Sequence, residues 1–276
     1  MTQGSPSTCV ITGAASGLGL EAARQLAAKG RRIIGIGRSP AECRGAAEIL
    51  RRAVARPEAC FIPADLSSVG GVRRAAAQVR KTLGAGRLDR LIHGAEAFAG
   101  RRVGTEDGLE LQFATNYLAA FLLTCELFGA LIRPPESRVI VVSSGSHRGV
   151  EMAWADPMLR RRYGALRAYR QSKLALVLFV LELNRRVRHR FPVRAMAVET
   201  GPAAAISGGG AFAGPGLSGA DAAASIVRLT TEPLSAIAGD YWRLGRPASP
   251  SLYARRPDVA QRLWDLSERL CGVDFL

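Results

Sequence analysis

The segment VITGAASGLG, residues 10–19, decides the fold. It leads from a β-branched, strand-like stretch through a glycine-rich turn into a helical pattern, an arrangement that directs backbone N–H groups at a pyrophosphate. Glycine removes the Cβ atoms that would block a close approach. The GxxxGxG spacing differs from the general GxGxxG fingerprint, and a glycine-rich turn alone also fits a plain strand-to-helix connection. The dinucleotide interpretation assigns cofactor binding to Gly13, Ser16, Gly17, Leu18 and Gly19.

Outward from this segment, short β-branched runs alternate with amphipathic stretches. The predicted strands cover 9–11, 32–36, 59–62, 88–92, 138–142 and 193–198. Helical stretches include 18–29, 69–82, 109–131, 169–187 and 220–230. This alternation predicts parallel strands joined by crossover helices, and the apolar run at 139–142 fits a strand covered on both faces. The predicted fold is therefore α/β, a doubly wound parallel sheet of the Rossmann type in a single domain spanning residues 1–276.

Composition excludes several classes of protein. With 276 residues and 48% apolar residues, the chain can bury a large core. It contains no uncharged apolar stretch of about 18 residues, so no membrane span is predicted. Residues 1–8 lack the features of a signal peptide, which predicts a cytoplasmic protein. The five cysteines are scattered without metal-ligand spacing, so no metal site is expected.

The net charge of +15 would suit a nucleic-acid partner. However, Lys29, Lys81 and Lys173 are the only lysines, and the arginine-rich composition indicates a coding bias. Because no basic strip is interleaved with aromatic residues, no nucleic-acid partner is predicted. The arginines at 160–162, 167 and 170 fit either a solvated helix face or a docking surface for an acidic carrier protein or anionic substrate.

The end of the second predicted strand indicates which cofactor is preferred. An acidic residue at this point usually binds the ribose 2′-hydroxyl of NAD, but this chain has Arg38. A guanidinium can pair bidentately with a 2′-phosphate, which favours NADP(H). The alternative is a solvated arginine in an arginine-rich chain.

Four polar residues form a candidate catalytic group. Tyr169 and Lys173 stand four residues apart on a predicted helix and share a face. A phenol has a pKa of about 10, which a neighbouring ammonium and a nicotinamide cation would lower. Ser144 follows a strand at the sheet edge where ligands bind. Asn116, among apolar neighbours, fits either this group or a buried amide satisfied by the structure.

With these residues the chain resembles the short-chain dehydrogenase/reductase family, in its retinol dehydrogenase-like and protochlorophyllide reductase-like branch. The resemblance covers nearly the whole chain and rests on 12–19, 65–66, 105–113, Asn116, 143–144, 169–173 and 261–267. It implies that Ser144 holds a carbonyl and Tyr169 transfers the proton. Lys173 would bind the nicotinamide ribose and tune Tyr169, and Asn116 would position a water linking Lys173 to solvent.

The resemblance also implies further cofactor contacts and a reaction. Asp65 and Leu66 would contact adenine, and Gly94, Ala95 and Gly201 would line the cofactor together with Tyr169 and Lys173. The expected function is an NADP(H)-dependent oxidoreductase that reduces a ketone or aldehyde, or oxidises the corresponding alcohol. Its substrate would be a lipophilic small molecule such as a secondary metabolite. Apolar residues that fit either a substrate pocket or plain core packing are Met152, Trp154, Met158, Leu159 and Phe212.

Two departures from the family pattern leave an alternative open. The family's NNAG segment reads His93-Gly94-Ala95-Glu96, and Glu96 could face either the ligands or solvent. Ala205 stands where a threonine that holds the carboxamide is expected. The alternative is a cofactor-binding member with non-redox catalysis or a sensing role.

Residues 203–219 are predicted as a flexible substrate lid, or else a surface loop. The oligomeric state stays open, a homo-oligomer included.

Overall fold

The computed structural model describes residues 6–55, 57–201 and 218–275. These residues form one sheet with helices on both faces. The strands are β1 (Thr8–Thr12), β2 (Arg32–Gly37), β3 (Ala59–Pro63), β4 (Arg90–His93), β5 (Ser137–Ser143), β6 (Val193–Glu199), β7 (Tyr241–Arg243) and β8 (Arg246–Pro247). The helices are α1 (Gly17–Ala28), α2 (Pro40–Ala53), α3 (Val69–Leu83), α4 (Ala119–Leu131), α5 (Ala165–Val187), α6 (Gly219–Thr231) and α7 (Pro257–Cys271).

The sheet has the order β3-β2-β1-β4-β5-β6-β7-β8. Strands β1 to β7 pair in parallel, and the short β8 pairs antiparallel with β7. Chain order reverses between β1 and β4, where Thr12 lies opposite His93. In open α/β sheets this switch point creates a crevice at the carboxyl ends of the strands. The predicted doubly wound Rossmann fold is confirmed.

The apolar run in strand β5 is explained by packing on both faces of the sheet. Val139 and Val141 pack into one core layer, with residues of α3, α4, α5 and α7. Ile140 and Val142 pack into the opposite layer, with residues of α1 and α6. Because side chains alternate across a strand, a sheet covered on both faces needs apolar residues at every position.

Two helices differ from the sequence expectation, and a third was not among the predicted stretches. Helix α2 lies outside the amphipathic stretches named above, and it begins at Pro40, after Ser39 accepts a hydrogen bond from the Glu42 N–H. Helix α5 begins at Ala165, so Tyr169 lies in its second turn rather than at its start. The helix expected across 109–131 contains a π-helical segment at Phe113–Leu118 before α4. Wide turns of this kind occur often at functional sites.

The expectations about a membrane span and about the lid remain predictions. The helix Phe113–Leu131 is long and apolar enough to cross a membrane by length and composition, but 78% of that window is buried inside the domain. A core helix passes the same test, so the absence of a membrane span stays a prediction. The lid predicted at 203–219 lies outside the described residues except for Ser218 and Gly219, and so does Ala205.

Trp264 of α7 holds the layer formed by α4 and α5. Its ring packs edge-on against Phe121, with centroids 5.0 Å apart, and stacks on Phe179 at 6.0 Å. We expect Trp264→Ala to lower the free energy of unfolding by about 3–5 kcal/mol, because it leaves a cavity between the two helices. Urea denaturation measures this loss. The control Leu252→Ala removes an exposed side chain and should leave stability unchanged; an equal loss in both variants would contradict the assignment.

Candidate active site

The glycine-rich turn packs directly against the end of β4. Gly13 has a left-handed backbone, φ 68°, and a Cβ there would lie 2.7 Å from the Gly94 carbonyl oxygen. A Cβ on Gly19 would lie 2.2 Å from the Gly13 carbonyl oxygen. Thr12 Oγ1 accepts hydrogen bonds from the Gly94 and Ala95 N–H groups, both at 3.1 Å. The turn therefore requires glycine, and it presents main chain at the switch point of the sheet.

Ser16 and Arg38 lie exposed at the same edge of the sheet. Ser16 is the N-cap residue of α1, but its side chain makes no capping hydrogen bond within the described first turn. The Arg38 side chain is 83% exposed and lies 2.9 Å from Glu42 Oε1. Gly17 is left-handed (φ 52°), and Leu18 packs partly against the core. A hydroxyl and a guanidinium are thus accessible beside the open end of α1.

Three other residues predicted to bind the cofactor, Asp65, Leu66 and Gly201, differ in side-chain exposure and backbone conformation. Asp65 is exposed, and its Oδ1 accepts a hydrogen bond from the Ser67 N–H at 2.8 Å. Leu66 is buried in the core, so its side chain faces away from the exposed edge. Gly201 is left-handed, with φ 81°, just after β6. Any adenine contact of Leu66 therefore has to use its main chain.

Ser144, Tyr169 and Lys173 come together between β5 and α5. Lys173 Nζ lies 5.5 Å from the centroid of the Tyr169 ring, and the Ser144 hydroxyl hydrogen-bonds the Tyr169 side chain. Lys173 Nζ donates to the Val142 carbonyl at 3.1 Å. In return, the Ser143 hydroxyl donates to the Lys173 carbonyl at 3.1 Å. These reciprocal bonds fix the helix against the end of the strand.

The Lys173 ammonium is paired with Glu96, at 2.6 Å between Nζ and Oε2. Of the two orientations considered for Glu96, the structure shows the one that faces the site. The Lys173 side chain is 2% exposed and that of Glu96 is 44% exposed. The replacement of the motif glycine by an acid was the only sequence signal for this contact.

Burial and charge set the protonation of this group. Burial raises the pKa of Tyr169, and Glu96 raises it further, while Lys173 and the Ser144 hydrogen bond lower it. The net direction is upward, so the expected lowering of the tyrosine pKa by the ammonium is outweighed here. Burial lowers the pKa of Lys173, but Glu96 and Tyr169 together raise it above its usual value. Lys173 is therefore cationic, and Tyr169 is a protonated phenol at neutral pH.

Asn116 lies on the π-helical segment and clamps the loop after β4. Its Oδ1 accepts from the Ala97 N–H at 2.7 Å, and its Nδ2 donates to the Ala97 carbonyl at 3.2 Å. Nδ2 also donates to Ser172 Oγ on α5 at 3.0 Å. The amide that was expected to position a water thus links the Glu96 loop to the helix of Tyr169.

His93, the first residue of the altered motif, is buried and neutral. Its Nε2 lies 3.0 Å from Thr124 Oγ1, and Thr124 gives its own hydroxyl proton to the Ala120 carbonyl. Nε2 therefore carries the proton and donates it to Thr124. Burial lowers the pKa of His93 to about 3. The side chain supports the floor of the site rather than its open face.

A second group of polar residues, His147, Glu199 and Tyr241, lies beside Ser144, and no sequence motif indicated it. His147 Nδ1 donates to the Ser144 carbonyl at 2.8 Å, since its Nε2 accepts from the Ser251 N–H at 3.1 Å. Buried Glu199 accepts a hydrogen bond from the Tyr241 hydroxyl at 2.6 Å. The contacts of His147 with Ser251 and of Glu199 with Tyr241 join segments far apart in the sequence, where local patterns give no signal.

Phe98 is the apolar residue at the mouth of the site. Its side chain is 42% exposed, and its ring meets Tyr169 edge-on with centroids 6.0 Å apart. Met152, Met158 and Leu159, which were expected either to line an apolar pocket or to pack in the core, are buried, and Trp154 is half-buried. Phe212 lies outside the described residues. Within the described residues, Phe98 of the loop after β4 provides an apolar ring next to Tyr169.

A parallel sheet with a glycine turn at its switch point, and a Ser-Tyr-Lys group beside it, defines a Rossmann-type oxidoreductase. Comparison with known proteins supports this class. The short chain dehydrogenase family model matches residues 7–207. Retinol dehydrogenase 13 from Mus musculus is 33% identical, with 96% of this chain and 84% of that protein covered. Polyprenol dehydrogenase from Mus musculus is 32% identical, with 96% of this chain and 83% of that protein covered.

Structural comparison gives the same result. An uncharacterised protein from Mycobacterium Paratuberculosis has a TM-score of 0.79 and 32% identity, over 99% of this chain and 97% of that one. The chain belongs to the short-chain dehydrogenase/reductase family, in its retinol dehydrogenase-like branch. Members of this family are oxidoreductases that act on alcohols or carbonyls with NAD(H) or NADP(H).

The buried His93 makes stability depend on pH. Its pKa is depressed in the folded protein, so below about pH 6.5 the unfolded chain binds a proton that the native state does not, and stability falls as pH falls. Between about pH 7 and pH 5 this costs about 2 kcal/mol. We expect His93→Asn to reduce the stability difference between these pH values by that amount, as measured by urea denaturation. His189→Asn, which removes an exposed histidine, should keep the wild-type difference; a His93→Asn variant that also keeps it would contradict this account.

Proposed function

We propose that the protein is an NADP(H)-dependent reductase of a ketone or aldehyde, which can also oxidise the corresponding alcohol. The observation that carries this proposal is the convergence of Ser144, Tyr169 and Lys173 beside the glycine turn. A hydroxyl donor and a protonated phenol at one point suit a carbonyl oxygen that gains negative charge during reduction.

The described residues fit a dinucleotide at the carboxyl edge of the sheet. The turn at Gly13 and Gly19 has no room for Cβ atoms. Its main chain is therefore not covered by side chains, and a pyrophosphate can approach the backbone N–H groups. The Ser16 hydroxyl has no capping role in the described first turn of α1. Gly94 and Ala95, fixed by Thr12, would line the cofactor beside Lys173.

Arg38 supports NADP(H) over NAD(H). No acidic residue ends β2, and the Arg38 guanidinium is exposed at the point where a 2′-phosphate would be recognised. Its present partner is Glu42, four residues on. Such an exposed pair is worth only about 0.3–0.5 kcal/mol. A phosphate, with more negative charge and bidentate geometry, would displace Glu42 from the arginine.

The residues of the site divide the proton chemistry between them. When bound, NADPH supplies the hydride that reduces the carbonyl carbon. The Ser144 hydroxyl would hold the carbonyl oxygen, and Tyr169 would donate its phenolic proton to that oxygen. The Lys173 ammonium stabilises the resulting phenolate, because it lies 5.5 Å from the centroid of the tyrosine ring. For alcohol oxidation the same proton returns to Tyr169.

A lipophilic substrate is supported by two observations. The exposed Phe98 ring lies against Tyr169 and gives the mouth of the site an apolar wall. The two mouse relatives are named for retinol and polyprenol, both lipophilic alcohols. A substrate with an extended apolar body would cover Phe98 while its carbonyl reaches Tyr169.

Tyr169→Phe tests the proposed chemistry. We expect kcat for carbonyl reduction to fall by about 10²- to 10⁴-fold with NADPH affinity retained, because the variant lacks only the proton donor. NADPH oxidation with a panel of ketones and aldehydes measures the rate, and cofactor fluorescence measures binding. Tyr253→Phe, which removes a hydroxyl bonded to Trp154, is the matched control. Tight NADPH binding without turnover, unchanged by Tyr169→Phe, would favour the non-redox or sensing alternative.

Arg38→Ala tests the cofactor preference. Losing a charge-assisted pair with the 2′-phosphate should raise the Kd of NADPH by about 10- to 100-fold and leave that of NADH unchanged. Titration of intrinsic fluorescence with each cofactor gives the two constants. Arg51→Ala removes an exposed arginine from α2 that pairs with Glu48 and should alter neither. Equal weakening of NADPH and NADH by Arg38→Ala would contradict the assignment.

A further inference from the structure

Glu96 connects a buried cation to solvent. Its Oε2 lies 2.6 Å from Lys173 Nζ, and the lysine side chain is almost wholly buried while that of Glu96 is half exposed. The carboxylate also accepts a hydrogen bond from the Tyr169 hydroxyl. One acidic side chain thus touches both the proton donor and the ammonium that stabilises it.

Because Lys173 is buried, its charge depends on the ion pair with Glu96. A buried ammonium is strongly disfavoured unless it is paired and hydrogen-bonded. The charged or titratable groups that face it within the described chain are Glu96, from the loop after β4, and Tyr169, from its own helix. Strand β5 contributes only the neutral Val142 carbonyl. Without Glu96, the remaining ionisable partner is a phenol that is itself protonated at neutral pH.

The backbone next to Glu96 is held in place by hydrogen bonds to Asn116. The next residue, Ala97, is held through both its N–H and its carbonyl by the Asn116 amide. The same amide bonds Ser172, beside Lys173 on α5. The Asn116 side chain is therefore occupied with main chain and helix, and Glu96 is the polar group that leads outward from Lys173.

We propose that Glu96 is a positioning residue that keeps Lys173 charged beside Tyr169, and that its carboxylate returns a proton from solvent to Tyr169 after each reduction. The O–H bond of Tyr169 breaks when its proton passes to the substrate oxygen. The Glu96 carboxylate takes a proton from a hydronium ion in the solvent, which leaves water, and passes it to the phenolate; this restores the Tyr169 O–H bond and the Glu96 carboxylate. The proton return rests on the proposed function, but the effect on Lys173 does not.

The scarcity of lysine allows a direct test in the protein without cofactor. With Lys29, Lys81 and Lys173 as the only lysines, ε-¹³C-lysine labelling gives three signals, and Lys173→Met identifies one of them. We expect the titration midpoint of Lys173 to fall by about one pH unit or more in Glu96→Gln and to stay near wild type in Glu96→Asp. Lys29 and Lys81, both exposed, are internal references. An unchanged Lys173 midpoint in Glu96→Gln overturns the positioning role.

Kinetics test the proton return. Glu96→Gln should lower kcat for carbonyl reduction on the order of tenfold and shift its pH profile, with Glu96→Asp restoring much of the rate and the profile. Glu106→Gln, which changes an exposed acid farther along the same loop, is the control and should match wild type. A wild-type rate and profile in Glu96→Gln overturn the proton return. If wild type reduces no carbonyl, the proposed function and the proton return fail, and the lysine titration still decides the positioning role.

Discussion

The burial of one ammonium group is the constraint on which the site depends. Lys173 is buried, and among the described residues the Val142 carbonyl and the Glu96 carboxylate receive its ammonium, which offsets the cost of burying a charge. Meeting that need brings together the end of β5, the second and third turns of α5 and the loop after β4. The same three segments carry Ser144, Tyr169 and Phe98, so the contacts that hold one buried charge also bring these three side chains together.

The glycine turn and the altered NNAG segment belong to the same construction. Gly13 lies so close to Gly94 that a side chain on Gly13 would have no room, and Thr12 Oγ1 accepts hydrogen bonds from the N–H groups of Gly94 and Ala95. His93 stands where the family motif has an asparagine. Its imidazole hydrogen-bonds Thr124 and so still attaches this segment to the helix below the sheet edge. The departures at this segment therefore preserve its fixed path while Glu96 adds a charge to it.

Local sequence patterns predicted the elements and much of the site. Strand–turn–helix periodicity located the Gly13 turn, and helical spacing placed Tyr169 and Lys173 on one face, because both depend on residues close in the chain. The partners of Glu96, His147 and Glu199 could not be predicted, since they lie on segments far along the chain. The adenine contact of Leu66, implied by the resemblance, stays a prediction; the burial of its side chain in the core depends on tertiary packing that the local sequence does not show. The π-helical turn at Asn116 also has no local signature.

The contact of Trp264 with Phe121 and Phe179 has a consequence for biosynthesis. The ribosome makes α4 and α5 well before α7, so their apolar faces emerge without the helix that covers them in the finished domain. Exposed apolar surface in a growing chain invites association with other chains and with chaperones. Nascent polypeptides stalled before residue 264 should therefore depend on chaperone capture, whereas the released protein would not.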